Sequence, residues 1–259
     1  MSETIVMIHG MWGSDWVWEN YKAFFENKGY ICKTPILRFH DMDPKDTPDP
    51  QLGTTSLLDY ADDLEKEIKE LDAAPILMGH SMGGLLTQIL ASRGLAKAAV
   101  LLTPASPRGI NALAWSAIVA FSSIMMTWGF WRKPNRISFK KAVYSLMNLM
   151  PPDDQKESYD KLVYESGRAA FEIGYWMLDS RKASEVDHSK VNCPVLVIAG
   201  KHDKMTPAKV VKKCFKKYEH VAQYKEFENN AHMAIMEPGW EEIAEYASEW
   251  LNQHLYDSL

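Results

Sequence analysis

Apolar residues along the chain alternate between two spacings. Short continuous runs, Thr4-Ile5-Val6-Met7-Ile8, Ile76-Leu77-Met78, residues 98–103 and Pro194-Val195-Leu196-Val197-Ile198-Ala199, read as strands buried on both faces. Weaker runs at 30–35 and 221–227 bring the strands to six. Between them apolar positions recur at helical spacing. The clearest case is 56–71, where Leu57, Ala61, Leu64, Ile68 and Leu71 form one stripe and Ser56 with Asp59 forms a capping box. Further helices are expected at 15–27, capped by Asp15 and stopped by Gly29, and at 82–93, stopped by Gly94. Two more are expected at 207–217 and 240–255, the last burying Trp240, Ile243, Ala244, Ala247, Trp250 and Leu251. Strands joined by helical crossovers predict an α/β fold, a doubly wound and mainly parallel sheet of about six strands.

The alternation breaks after the fourth strand. Residues 104–187 show no convincing strand but hold Trp115, Trp128, Trp131, Trp176, Met125 and Met126. The expected organisation is a core of residues 1–104 and 187–259, with a helical cap over 105–186. Residues 109–131 carry no charge over 23 positions, long enough to span a bilayer. Asn111, Ser116, Ser122 and Thr127 interrupt the run, and Ile118, Phe121, Met125 and Trp128 recur on one side. Amphipathic helices covering something apolar are therefore expected, with a membrane span as the alternative. Placed over the carboxyl ends of the strands, where open α/β sheets bind ligands, such a cap acts as a mobile lid that selects apolar substrates.

Charge and cysteines narrow the classes. A net charge of −5 with no compensating basic stripe argues against nucleic acid, or an anionic membrane, as main partner. Lys212, Lys213, Lys216 and Lys217 lie at helical spacing and read as a solvated helix face. Cys32, Cys193 and Cys214 form no C-x-x-C pair; Cys32 and Cys193 read as buried thiols, and a reducing cytosol is the expected compartment. The first strand begins almost at residue 1, which leaves no visible signal peptide. In 38–53, His40, Asp41, Asp43, Asp46 and Asp49 lack cation-loop spacing and are interrupted by prolines, so a solvated loop near the site entrance is expected. Neither metal nor cofactor is called for, and oligomeric state stays open.

The chemistry centres on Gly79-His80-Ser81-Met82-Gly83, a G-x-S-x-G run between a strand and a helix. A serine needs a base to take its proton, and the base needs a third group to hold its tautomer. Asp203 follows the fifth strand and His232 follows the sixth, giving the order Ser81, Asp203, His232 along one sheet edge. An oxyanion hole needs two fixed N–H donors, assigned to Met82, after the nucleophile, and Met11, after the first strand. His9 and His80 are architectural on this reading. Pocket candidates are Trp12, Trp115, Phe121, Met125, Trp128, Trp176 and Met233.

His9-Gly10-Met11-Trp12, Gly79-His80-Ser81-Met82-Gly83-Gly84, Gly200-x-x-Asp203 and His232 together resemble the α/β-hydrolase superfamily. The likeness covers both ends of the chain and leaves out the insertion. His9-Gly10 with Trp16 and Trp18, and Ala231-His232-Met233-Ala234, are similar to the plant-type methylesterase and hydroxynitrile lyase branch. The serine run is equally similar to monoacylglycerol-lipase and lysophospholipase-like proteins. Ser81 stands where epoxide hydrolases and haloalkane dehalogenases place aspartate, and Gly10 and Met233 stand where hydroxynitrile lyases carry threonine and lysine. The resemblance implies a serine hydrolase acting on small-molecule esters, thioesters or lysophospholipids being variants, and the aromatic and methionine-rich insertion points to an apolar acyl or alcohol group. Two alternatives remain: a non-catalytic ligand-binding protein on this scaffold, and a carbon–carbon hydrolase or cofactor-free haloperoxidase using the same three residues.

Overall fold

A computed structural model describes residues 2–112 and 115–255. The first half runs β1 (Thr4–Ile8), α1 (Glu19–Asn27), β2 (Ile31–Lys33), α2 (Leu57–Lys69), β3 (Ile76–His80), α3 (Met82–Ser92) and β4 (Ala98–Leu102). Between β4 and the next long strand lie α4 (Trp115–Met125), β5 (Pro134–Asn135), α5 (Phe139–Ser145), α6 (Pro152–Lys161), β6 (Glu165–Ser166) and α7 (Gly167–Gly174). The chain closes with β7 (Val195–Gly200), α8 (Ala208–Phe215), β8 (Ala222–Phe227) and α9 (Trp240–Leu255). Six strands form one sheet in the order β2-β1-β3-β4-β7-β8, with every neighbouring pair parallel.

The continuous apolar runs follow from burial on both faces. Val6, Ile8, Leu77, Ala99, Leu101, Val197 and Ala199 pack against α2, α3 and α8. Their neighbours Ile5, Met7, Ile76, Met78, Val100, Leu102, Leu196 and Ile198 pack on the other face, against α1 and α9. The Ser56–Asp59 capping box is formed at the start of α2. The strand order reverses between β1 and β3, which opens a crevice at their carboxyl ends.

Several expectations change. The second strand shrinks to three residues at the sheet edge. The first helix begins with a 3-10 turn over Asp15–Trp18, and Asp15 sits inside that turn, not at its cap. Trp240 is half-buried in α9, and Cys193 is half-buried while Cys32 and Cys214 are buried. The segment between β4 and β7 is not purely helical, because β5 and β6 form an antiparallel ladder, Pro134 opposite Ser166 and Asn135 opposite Glu165. Two-residue strands leave no periodicity to read. The charge-free stretch becomes α4 of 11 residues and a 3-10 turn over Phe130–Arg132. Residues 113 and 114 of that stretch lie outside the described residues. No helix among the described residues is long and apolar enough to cross a membrane.

Two buried carboxylates join this segment to the sheet's helices. Glu165 accepts from Tyr60 Oη at 2.8 Å, and its other oxygen lies 3.2 Å from His40 Nε2. The pair lifts His40 above its ordinary value: burial opposes protonation, and the Glu165 charge and hydrogen bond outweigh it. His40 is therefore a buried tie in a loop expected to be solvated. Glu172 accepts from Ser56 Oγ at 2.8 Å, Leu57 N at 2.8 Å and Arg168 Nε at 2.7 Å. Near the cavity the segment packs Ile124, Phe130 and Met147 on Trp12, Met205 and Met233, from loops after β1, β7 and β8.

Candidate active site

The local sequence around Ser81 forces its conformation. Ser81 sits between β3 and α3 at φ 55°, ψ −119°, strain of a kind that costs about 1–3 kcal/mol and persists only where neighbours hold it. A Cβ on Gly79 would lie 2.3 Å from Gly83 O, and one on Gly83 would lie 2.0 Å from Ile8 O. Only glycine fits at either place. A Cβ on Gly10 would lie 2.9 Å from Ser81 Cβ, so the turn after β1 rests directly against the serine.

Three residues from three strand ends meet here. Ser81 Oγ lies 3.0 Å from His232 Nε2, and His232 Nδ1 lies 2.9 Å from Asp203 Oδ2. The carboxylate sets the tautomer: Nδ1–H donates to Asp203, leaving the Nε2 lone pair to accept from the serine hydroxyl. Burial alone would raise Asp203, but the adjacent His232 and the donors of Thr206 hold its carboxyl below the usual aspartate value. Asp203 Oδ1 accepts from Met205 N at 2.7 Å and Thr206 N at 2.8 Å. Asp187 and Asp179 are elsewhere: Asp187 caps an exposed turn, and Asp179 pairs with Arg168.

The histidine's backbone is fixed as firmly as its ring. His80 Nε2–H donates to His232 O at 2.8 Å, and Thr103 Oγ donates to the same oxygen at 3.0 Å. Burial pushes both His80 and His9 down to about 3, so each is a neutral scaffold. His9 accepts from Leu37 N at 3.1 Å through Nε2 and donates through Nδ1 to Gly10 O. Sequence reasoning missed Thr103 and Thr206, whose bonds only the fold reveals. It also missed Glu237, which accepts from Ala231 N behind His232. Burial pushes Glu237 up to about 7. A lone acid within Met233-Ala234-Ile235-Met236-Glu237 was the available signal.

Above Ser81 opens a cavity of about 210 Å³. Met11, Trp12, Met82, Phe121, Met125, Trp176 and Met233 line it, and Trp12 and Phe121 face each other at 5.6 Å. Trp115 and Trp128 are not among its walls; they are 77% and 86% exposed. No Asp, Glu, Lys or Arg among the described residues lines the cavity. Nor do the described residues contain a cluster of three or more His, Cys, Asp or Glu that could hold a metal ion.

The sequence profile of the Alpha/beta hydrolase family matches residues 5–246, and the chain belongs to that family. A methylesterase from Arabidopsis superposes with a TM-score of 0.73 at 13% identity, covering 96% of this chain and 99% of that one. A monoacylglycerol lipase from Paleococcus ferrophilus gives a TM-score of 0.69 at 21% identity, covering 97% and 94%. Tomato methylketone synthase I, complexed with 2-tridecanone, gives 0.72 at 15% identity, covering 98% and 99%. At such identities these likenesses establish the fold. No curated protein sequence matches the chain.

Proposed function

We propose that this protein is a serine hydrolase that cleaves carboxylic esters carrying an apolar acyl or alcohol group. The observation that carries the reading is the pair of contacts Ser81 Oγ–His232 Nε2 at 3.0 Å and His232 Nδ1–Asp203 Oδ2 at 2.9 Å, beneath an uncharged cavity. His232 takes the Ser81 proton as Oγ attacks the ester carbonyl, and Asp203 stabilises the imidazolium that forms. The Met11 and Met82 N–H groups receive the negative oxygen of the tetrahedral intermediate; Met82 stands in the first turn of α3, whose N–H groups have no acceptor within the helix. His232 returns the proton to the leaving alcohol, and a water activated the same way releases the acid from Ser81.

A cavity with no Asp, Glu, Lys or Arg among its described walls leaves a charged group uncompensated, which favours neutral, apolar substrates. Thioesters and lysophospholipid esters meet the same carbonyl chemistry. The segment 105–186 serves as the cap, contributing Phe121, Met125 and Trp176 to the cavity. Names given to two of the structural neighbours, methylesterase and monoacylglycerol lipase, agree with ester cleavage. A fluorophosphonate probe tests the reading: one label is expected on the wild type and none on Ser81→Ala. Labelling that survives the substitution refutes the assignment.

A further inference from the structure

The rim of the cavity is more apolar than a solvated surface requires. Met126 and Trp128 are each 86% exposed, and Met177 and Leu178 are 70% and 71% exposed. These side chains are continuous with the site. Met125 and Met177 line the cavity over Ser81, while Met125, Met126, Trp128 and Leu178 line a shallow groove beside it. Contiguous exposed apolar surface of this kind marks an interaction face.

Charge identifies the partner. Between Asp72 and Asp153 the chain contains no acidic residue. Residues 109–151 carry five cations, Arg132, Lys133, Arg136, Lys140 and Lys141, and therefore +5; the rest of the chain sums to −5 − 5 = −10. The overall negative charge hides this separation. Lys133 Nζ donates to Trp128 O at 3.1 Å, and Lys141 Nζ donates to Ser122 Oγ on α4 at 2.7 Å. Arg132 and Lys133 are exposed in the turn that follows Trp128, so cations border the same apolar rim. Exposed tryptophan and methionine flanked by Arg132 and Lys133 suit the boundary between water and an anionic leaflet, where rings enter the headgroup layer and cations meet phosphate.

We propose that this rim is a docking face for an anionic lipid surface, set so that the cavity mouth meets the lipid. The proposal builds on the ester-hydrolase reading only in giving an apolar substrate a direct path from the leaflet to Ser81. Docking itself needs no catalysis.

The test uses co-sedimentation of the Ser81→Ala chain with phosphatidylcholine vesicles, with and without phosphatidylglycerol. Binding is expected to the anionic vesicles and to be lost at high salt, where the screening length falls to about 3 Å. Each cation at an anionic leaflet strengthens binding about fivefold, so Arg132→Gln with Lys133→Gln should weaken it about 25-fold and leave weak binding to neutral vesicles unchanged. Met126→Ser with Trp128→Ser should weaken it about tenfold or more. Equal binding to both vesicle types, or binding indifferent to the charge substitutions, overturns the proposal. So does a dimer in solution that Met126→Ser with Trp128→Ser dissolves, since a second copy would then own the face. Because the serine is absent throughout, failure here leaves the fluorophosphonate result untouched.

Discussion

Glu237→Gln probes the buried acid behind His232. Its folded-state pKa is raised from 4.5 to about 7, chiefly by burial. At about 1.36 kcal/mol per pH unit, that gap corresponds to about 3 kcal/mol. Between pH 4.5 and 7 the folded chain keeps a proton that the unfolded chain has released. Stability contributed by this group therefore falls as pH rises through that window, and above pH 7 the folded chain carries the whole penalty. Glutamine keeps an acceptor for Ala231 N and does not titrate. Near pH 4 the variant and wild type should melt together. At pH 8 the variant should be more stable by about 3 kcal/mol, about 6–12 °C in Tm for a chain of this size. Thermal unfolding of both proteins at half-unit steps from pH 4 to 8.5 reads the difference directly (~0.5-unit spacing resolves a single titration). A difference that stays constant across that range, or a variant less stable at pH 8, refutes the reasoning.

Asp203→Asn should cut kcat by about 10⁴ through loss of the Nδ1–H tautomer, while Asp187→Asn, at an exposed turn, leaves steady-state rates unchanged. Catalytic efficiency on p-nitrophenyl esters should rise about three- to fourfold per added methylene until the cavity fills, from ~0.8 kcal/mol per buried CH₂. Phe121→Ala, which removes the ring facing Trp12, should flatten that series, and a wild-type preference for acetate over hexanoate would overturn the apolar-pocket argument.

What the sequence made legible was local. Sheet strands carry unbroken apolar runs because both faces are covered, and the Ser81 turn shows itself because glycine alone fits at 79 and 83. Asp203 and His232 were visible as polar residues just past strand ends. Contacts across more than a hundred residues were not: nothing near Glu165 or Glu172 distinguishes a buried tie from an ordinary solvated acid. Trp115 and Trp128 illustrate a second blind spot. Helical spacing shows which side chains share a face, but the neighbours decide whether that face meets the cavity or the solvent.

The two buried carboxylates divide the segment between β4 and β7 for protein engineering. Any graft that replaced residues 165–172 would have to bring its own acids to Tyr60, His40, Ser56 and Leu57, or leave those donors orphaned inside the protein. Each orphan costs about 1–3 kcal/mol, so a foreign back half would be rejected at folding. The front stretch, 115–128, makes no such tie to His40, Ser56 or Tyr60. Recombination among relatives is therefore expected to succeed with crossovers that exchange the front of this segment, and to fail with those that exchange the back.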